Sequence, residues 1–130
     1  IFSSVKLNSF KYKIIKHSKN LYHLIQKLKK RKMKISIYGA SGKGQALMQF
    51  SKLNENMIDF VFDKSKLKQG RFTPGTNIKI IDPRYISNKN IDYLLILSWN
   101  IKKEIMKQEK EFLKNGGKFI IPFPKPRIIN

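Results

Sequence analysis

The chain has 130 residues, no cysteine, and 28 Lys and Arg against 8 Asp and Glu, giving a formal net charge of +20. This length and the 41% hydrophobic content allow one domain with a core, but no second full domain. Without cysteine there is no disulfide, thiolate metal site or catalytic thiol, and two histidines are too few for a three-ligand metal site. No apolar run approaches the about 18 residues that cross a bilayer, so we expect no membrane span and a cytoplasmic location.

The positive charge is distributed unevenly. Residues 1–54 carry 13 basic and no acidic residues, whereas residues 55–130 carry 15 basic and 8 acidic residues. Such charge can bind nucleic acid by displacing counterions from phosphates. However, only four of the basic residues are Arg, which is preferred for bidentate contacts with bases and phosphates. We therefore expect no specific nucleic-acid partner, and the charge forms either a solvated surface or a face for an acidic protein, membrane or phosphate.

The first element in chain order is a predicted helix over residues 10–31, within an N-terminal region of residues 1–32. Its apolar residues recur at spacings of three, four or seven and so share one stripe: Phe10, Ile14, Leu21, Leu24, Ile25 and Leu28. Most of its lysines lie off that stripe. The stripe could rest on an anionic membrane, but packing against the protein's own or a preceding domain is the favoured interpretation. His23 is expected at the surface or at its boundary.

Residues 33–130 form the second predicted region, in which short strands alternate with helices. A β-branched strand runs into the glycine-rich sequence GASGKG and then into a helix, which is how a doubly wound Rossmann-like α/β domain begins. Another helix is predicted over residues 100–114, with Asn100 as a candidate cap. About five strands are predicted, over residues 34–38, 58–62, 78–81, 91–97 and 118–121, before a proline-rich tail. Right-handed crossovers give a parallel sheet of order 3-2-1-4-5, and ligands bind at the switch point between strands 1 and 4.

The glycine turn at residues 39–44 is a degraded form of the dinucleotide-binding GxGxxG pattern. Ser41 replaces the middle glycine, and Gly42 is an extra glycine. Backbone amides at the helix N-terminus still form an anion site, to which Lys43 and the Ser41 hydroxyl can add contacts. Asp63 follows at the spacing of a ribose-binding carboxylate in nicotinamide-dependent enzymes. A Walker A loop and a nucleophile elbow are excluded by the residues around Lys43.

Four segments resemble the C-terminal domain of S-adenosylmethionine-dependent sugar-nucleotide C-methyltransferases, the dTDP-sugar C-methyltransferase family: residues 38–50, 58–83, 91–105 and 116–124. The most specific of their elements are KQGRFTPGT at residues 68–76 and the Trp99–Asn100 pair. The resemblance implies a domain that follows a zinc-binding region and a methyltransferase domain, both missing from this chain. That methyltransferase domain would bind S-adenosylmethionine, so no cofactor is expected within this chain. The partner implied is a nucleotide-linked deoxysugar, which this domain helps to enclose.

The catalytic residues of the family cannot be transferred to this chain, but a substrate-binding set can be predicted. Basic residues suit a diphosphate, and Trp99 offers a face for a base or sugar. The predicted substrate-binding residues are Gly39, Ser41, Gly42, Lys43, Gly44, Asp63, Lys68, Arg71, Trp99 and Asn100. Structural alternatives remain open: a solvated loop at residues 64–71, interdomain packing of Trp99, and helix capping by Asn100. The alternative functions are a free-standing NAD(P)-type or sensor domain and a basic nucleic-acid-binding module.

Overall fold

The N-terminal helix extends further than its apolar stripe predicts. In the computed structural model the described residues are 2–40 and 42–130, and side chains are described from residue 12 onward except at positions 14 and 41. Helix α1 spans Phe2–Lys30. Its stripe residues Leu21, Ile25 and Leu28 are buried in the main core, Leu24 packs against that core, and Phe10 and Ile14 have side chains outside the described ones. The predicted packing of the stripe on its own domain is therefore confirmed, and His23 is exposed as expected.

Six strands form a single sheet of order β3-β2-β1-β4-β5-β6. They are β1 (Ile35–Tyr38), β2 (Val61–Phe62), β3 (Ile80–Ile81), β4 (Tyr93–Ile96), β5 (Lys118–Ile121) and β6 (Arg127–Ile129). The first five pair in parallel, so the predicted doubly wound order is confirmed. The sixth strand runs antiparallel to β5, where only a proline-rich tail was predicted. This additional strand begins only after Pro126, where no proline restricts the backbone, and it extends the predicted order at one edge.

Side chains of the central strands alternate between two cores, one on each face of the sheet. Ile35 and Ile37 face the core that includes α1 and helix α2 (Gly42–Phe50), whereas Tyr38 faces the other. The second face is covered by a 3₁₀ segment (Pro83–Asn88) and by two short helices, α3 (Lys102–Gln108) and α4 (Lys110–Lys114). The sheet is therefore buried on both faces, as parallel sheets require.

The predicted helix over residues 100–114 is interrupted in the structure. The chain first makes a 3₁₀ turn over Trp99–Ile101, in which the Ile101 amide donates to the Ser98 carbonyl oxygen at 3.0 Å. Helix α3 then begins after Ile101, which makes no side-chain capping bond. The prediction of Asn100 as the helix cap was therefore wrong, because the tight turn places Asn100 one residue too early.

Candidate functional site

The glycine turn lies against the end of β4, as the strand order predicts. Gly39 has a φ of 98°, which favours glycine, and its amide donates to the Phe62 carbonyl oxygen at 2.8 Å. A β-carbon added at Gly39 would lie only 3.1 Å from the Ser98 Cβ. Only glycine lets the turn approach β4 this closely, so the carboxyl ends of β1, β2 and β4 converge here.

The two glycines at the start of α2 have different surroundings. A β-carbon at Gly44 would lie 3.0 Å from the Leu97 Cβ and 3.2 Å from the Leu97 carbonyl oxygen. Gly44 therefore allows α2 to pack closely on the end of β4. A β-carbon at Gly42 would meet no atom within 4 Å, so this glycine borders open space. Ser41, a predicted phosphate contact, lies outside the described residues.

A cavity of about 270 Å³ opens beside the N-terminus of α2. It is lined by Lys43, Gly44, Leu97, Trp99 and Asn100, so four of the ten predicted site residues meet here. Backbone amides at a helix start attract anions, and Lys43 adds a positive charge. The cavity therefore offers a positively charged end that suits a phosphate, and beside it the aromatic ring of Trp99.

Trp99 contacts a further aromatic residue, Phe123, which in turn contacts His17, and the sequence analysis assigned neither to the site. The Trp99 ring lies 5.0 Å from the Phe123 ring between centroids, and Phe123 meets the His17 ring of α1 edge-on at 5.9 Å. The signal for Phe123 was its place directly after β5, at the same sheet edge as the glycine turn. His17 carried no signal, because a helix position far from the turn does not reveal which strand end it reaches.

Asp63 and Lys68 lie beside the glycine turn, but their polar groups are bonded to the protein backbone. One carboxylate oxygen of Asp63 accepts the Ala40 amide proton at 3.0 Å, and the other accepts the Ser65 amide proton at 2.8 Å. The Lys68 ammonium donates to the Ala40 carbonyl oxygen at 3.0 Å and lies 3.9 Å from the Asp63 carboxylate. These residues thus adjoin the cavity without lining it.

The segment of residues 64–79, which we name the strap, is tied to the rest of the domain. Its Thr73 amide donates to the Ile78 carbonyl oxygen at 2.8 Å, forming an antiparallel turn beside β3. The Gln49 side chain on α2 donates to the Pro74 carbonyl oxygen at 3.3 Å. Arg71 is exposed on the strap and does not line the cavity beside α2. The strap is therefore an ordered cover on α2 and β3, and most of KQGRFTPGT serves its folding.

A larger cavity, of about 670 Å³, lies between the 3₁₀ segment and helices α3 and α4. It contains none of the predicted site residues. Three basic and three acidic residues line it together with neutral ones: Lys64, Arg84, Lys89, Asp82, Glu109 and Glu111. Because these charges balance, the lining of this cavity itself adds no net positive charge for a diphosphate. The smaller cavity beside α2, which we name the crevice, has Lys43 at a helix N-terminus. It is the better candidate for a diphosphate site in spite of its size.

Tyr38 ends β1 on the face of the sheet opposite α2. Its hydroxyl accepts a hydrogen bond from the Gln108 side-chain amide at 2.7 Å. Burial raises the pKa of Tyr38 from 10.0 to about 12, although the bond from Gln108 opposes this shift. The phenol therefore keeps its proton at neutral pH.

Two classes of site are not found in the part of the chain that the structure describes. No group of three or more His, Asp or Glu side chains among residues 2–40 and 42–130 could hold a metal ion. None of the helices described here is apolar enough over a sufficient length to cross a membrane.

Comparison with known proteins identifies the domain. Residues 3–124 match the family model of the C-methyltransferase C-terminal domain. The chain belongs to this family. It is 46% identical over 93 residues to the C-methyltransferase NovU of Streptomyces niveus, an alignment that covers 72% of this chain. The matched region spans only 22% of the length of that relative. The resemblance inferred from residues 38–124 is thus confirmed at the level of the domain family.

Proposed function

We propose that this domain binds a nucleotide-linked deoxysugar and closes the active site of an S-adenosylmethionine-dependent C-methyltransferase. In this proposal, the diphosphate lies at the start of α2 beside Lys43, and a sugar or base ring lies against Trp99. The methyl donor binds to a methyltransferase domain outside this chain. The observation that carries the proposal is the meeting of the helix N-terminus, Lys43 and Trp99 in one cavity of a C-methyltransferase domain.

The size of the cavity supports a shared binding site. Pockets that enclose a whole small molecule usually measure about 300–1,000 Å³, whereas this crevice measures about 270 Å³. A nucleotide-linked sugar is therefore too large for the crevice alone. A second domain would cover the remainder, which is the arrangement expected of a closing domain.

The carboxylate beside the glycine turn is already partly engaged by the protein backbone. A Rossmann-type site holds the ribose hydroxyls of its ligand with a carboxylate at the end of the second strand. Asp63 has this position, but both of its oxygens accept backbone amide protons, from Ala40 and Ser65. In this proposal Asp63 supports the turn, and the methyl donor is held by the domain outside this chain. The degraded glycine pattern, with Ser41 in place of the middle glycine, counts against the NAD(P)-type alternative.

Thymidine diphosphate is the simplest probe of the proposal, because it carries the diphosphate and one base. Trp99 is the only tryptophan of the chain, so its fluorescence reports directly on the crevice. We expect thymidine diphosphate to change this fluorescence saturably, and thymidine to have little effect at the same concentration. Equal effects of the two compounds, or no saturation at millimolar thymidine diphosphate, would contradict a diphosphate site at α2.

A further inference from the structure

We propose that Asp63 and Lys68 are positioning residues that hold the Ala40 peptide groups and so set the glycine turn for phosphate binding. They do not contact the ligand themselves. This inference rests on the proposed function and changes the predicted role of both residues from substrate binding to support of the turn.

The contacts hold Ala40 from both sides. Its amide donates to the Asp63 carboxylate at 3.0 Å, and its carbonyl oxygen accepts from the Lys68 ammonium at 3.0 Å. Ala40 is only 5% exposed. Buried backbone groups without partners are costly, and bonds to charged groups are stronger than neutral ones. The Gln45 side chain also donates to this carbonyl oxygen, but at 3.5 Å. Asp63 and Lys68 thus make the shorter bonds to the two polar groups of the residue between Gly39 and the start of α2.

The same pair connects the turn to the strap. The second oxygen of Asp63 accepts the Ser65 amide proton, and the Gln69 side chain donates to the Asp63 carbonyl oxygen at 2.9 Å. Lys68 is itself a strap residue, and the strap is also bonded to α2 through Pro74. The strap and the glycine turn are therefore fixed relative to each other. The strap from residue 68 onward would thus support the phosphate-binding turn without touching the ligand.

Removing the charge of Asp63 should change the diphosphate affinity in opposite directions under a positioning role and under direct ligand contact by Lys68. If Lys68 contacted the diphosphate, the nearby Asp63 carboxylate would only weaken the attraction, and Asp63→Asn would strengthen binding. If Asp63 positions the turn, the same substitution weakens binding although it removes a negative charge beside an anion site. Asparagine has only one acceptor oxygen, so it cannot hold the amides of Ala40 and Ser65 as the carboxylate does.

The test combines two measurements on the 130-residue chain. Calorimetry with thymidine diphosphate should show about threefold to tenfold weaker binding for Asp63→Asn and for Lys68→Met. Amide NMR of the ligand-free protein should show a clear shift of the Ala40 resonance in both variants. Lys68→Arg keeps a cation at this position and should restore part of the affinity.

Lys66→Met is the matched control, because it removes an equal charge from the same strap. Lys66 is bonded to Asp82 at 3.3 Å, away from Ala40, so its variant should keep the Ala40 resonance unchanged and most of the affinity. Denaturant unfolding of each variant shows whether it remains folded at the assay temperature.

Tighter binding by Asp63→Asn would overturn the positioning role, and so would an unchanged Ala40 resonance in Asp63→Asn and Lys68→Met. An equal loss of affinity in Lys66→Met would also overturn it, because net charge alone would then explain the effect. If the wild-type chain binds no thymidine diphosphate, the proposed function fails. The Ala40 resonance then still tests whether the pair holds the turn.

Discussion

The different surroundings of Gly42 and Gly44 predict opposite effects of the same substitution on stability. Gly42 is the first residue of α2, so its backbone is helical, and an added β-carbon would have no neighbouring atom within 4 Å. Gly42→Ala should therefore raise the free energy of unfolding by about 0.4–1 kcal/mol, because alanine restricts the unfolded chain without strain in the folded one.

Gly44→Ala should have the opposite effect. Its β-carbon would lie 3.0 Å from the Leu97 Cβ, closer than side chains normally approach, and overpacking costs about 1–3 kcal/mol. The better helix propensity of alanine offsets about 1 kcal/mol of this cost. The net loss is therefore about 0–2 kcal/mol, and the variant should be less stable than Gly42→Ala by about 0.4–3 kcal/mol.

Substitution of Gly42 should weaken the binding of thymidine diphosphate, even though Gly42→Ala makes the fold more stable. A side chain there would block the approach of a phosphate to the amides of α2, so Gly42→Val and, less strongly, Gly42→Ala should bind more weakly while remaining folded. Urea unfolding measures the stability, and calorimetry measures the affinity. Wild-type affinity in Gly42→Val would refute phosphate binding at the start of α2. A Gly44→Ala variant more stable than wild type would refute the packing argument.

Four further predictions concern the crevice, the methyl donor, the charge of the chain and the buried Tyr38. Lys43→Ala should lose about 1.5–3 kcal/mol of diphosphate binding, tenfold or more in affinity, with the circular dichroism spectrum unchanged. Trp99→Ala should weaken the binding of the same ligand. Wild-type affinity in both variants would exclude the crevice as the binding site. Calorimetric titration of the chain with S-adenosylmethionine should show no binding, whereas micromolar affinity would contradict a donor site outside the chain. Any binding to duplex DNA should collapse between low and physiological salt without sequence preference, and tight, selective binding at about 200 mM salt would contradict this. The raised pKa of Tyr38 means that the folded state holds the phenol proton more tightly than the unfolded chain does. The wild type should therefore lose about 2–3 kcal/mol of stability relative to Tyr38→Phe as pH rises from 10.0 through about 12, with no such loss at lower pH. Parallel plots of unfolding free energy against pH for the two proteins would contradict the raised pKa.

The sequence was informative where local patterns determine the fold. The β-branched strand before the glycine turn predicted β1, and alternation of strands and helices predicted the order of the parallel strands. These features depend on residue periodicity and on general rules of chain handedness. The sixth strand was missed because Arg127–Ile129 is too short to give a pattern of its own and is stabilised by pairing with β5.

The candidate site was predictable only in part, because sequence places residues near one another without showing where their side chains point. Lys43, Gly44, Trp99 and Asn100 meet at one cavity because all lie at the predicted strand ends. Lys68 was predicted to face a diphosphate from its charge alone. Its bond to the Ala40 carbonyl oxygen, 28 positions away in the chain, depends on the path of the strap, which no local pattern specifies.

The central position of the β1–β4 pair has a consequence for how the chain folds. Ile35 pairs with Tyr93, and the neighbouring Lys34 amide donates to the Asp92 carboxylate across a separation of 58 residues. The middle of the sheet therefore cannot form by growth from a local hairpin, since a long loop must close first at a cost in chain entropy. Folding rates fall as contacts become more distant in sequence. We therefore expect neither half of the domain to be stable alone, because β1 and β4 must both be present before the middle of the sheet can form.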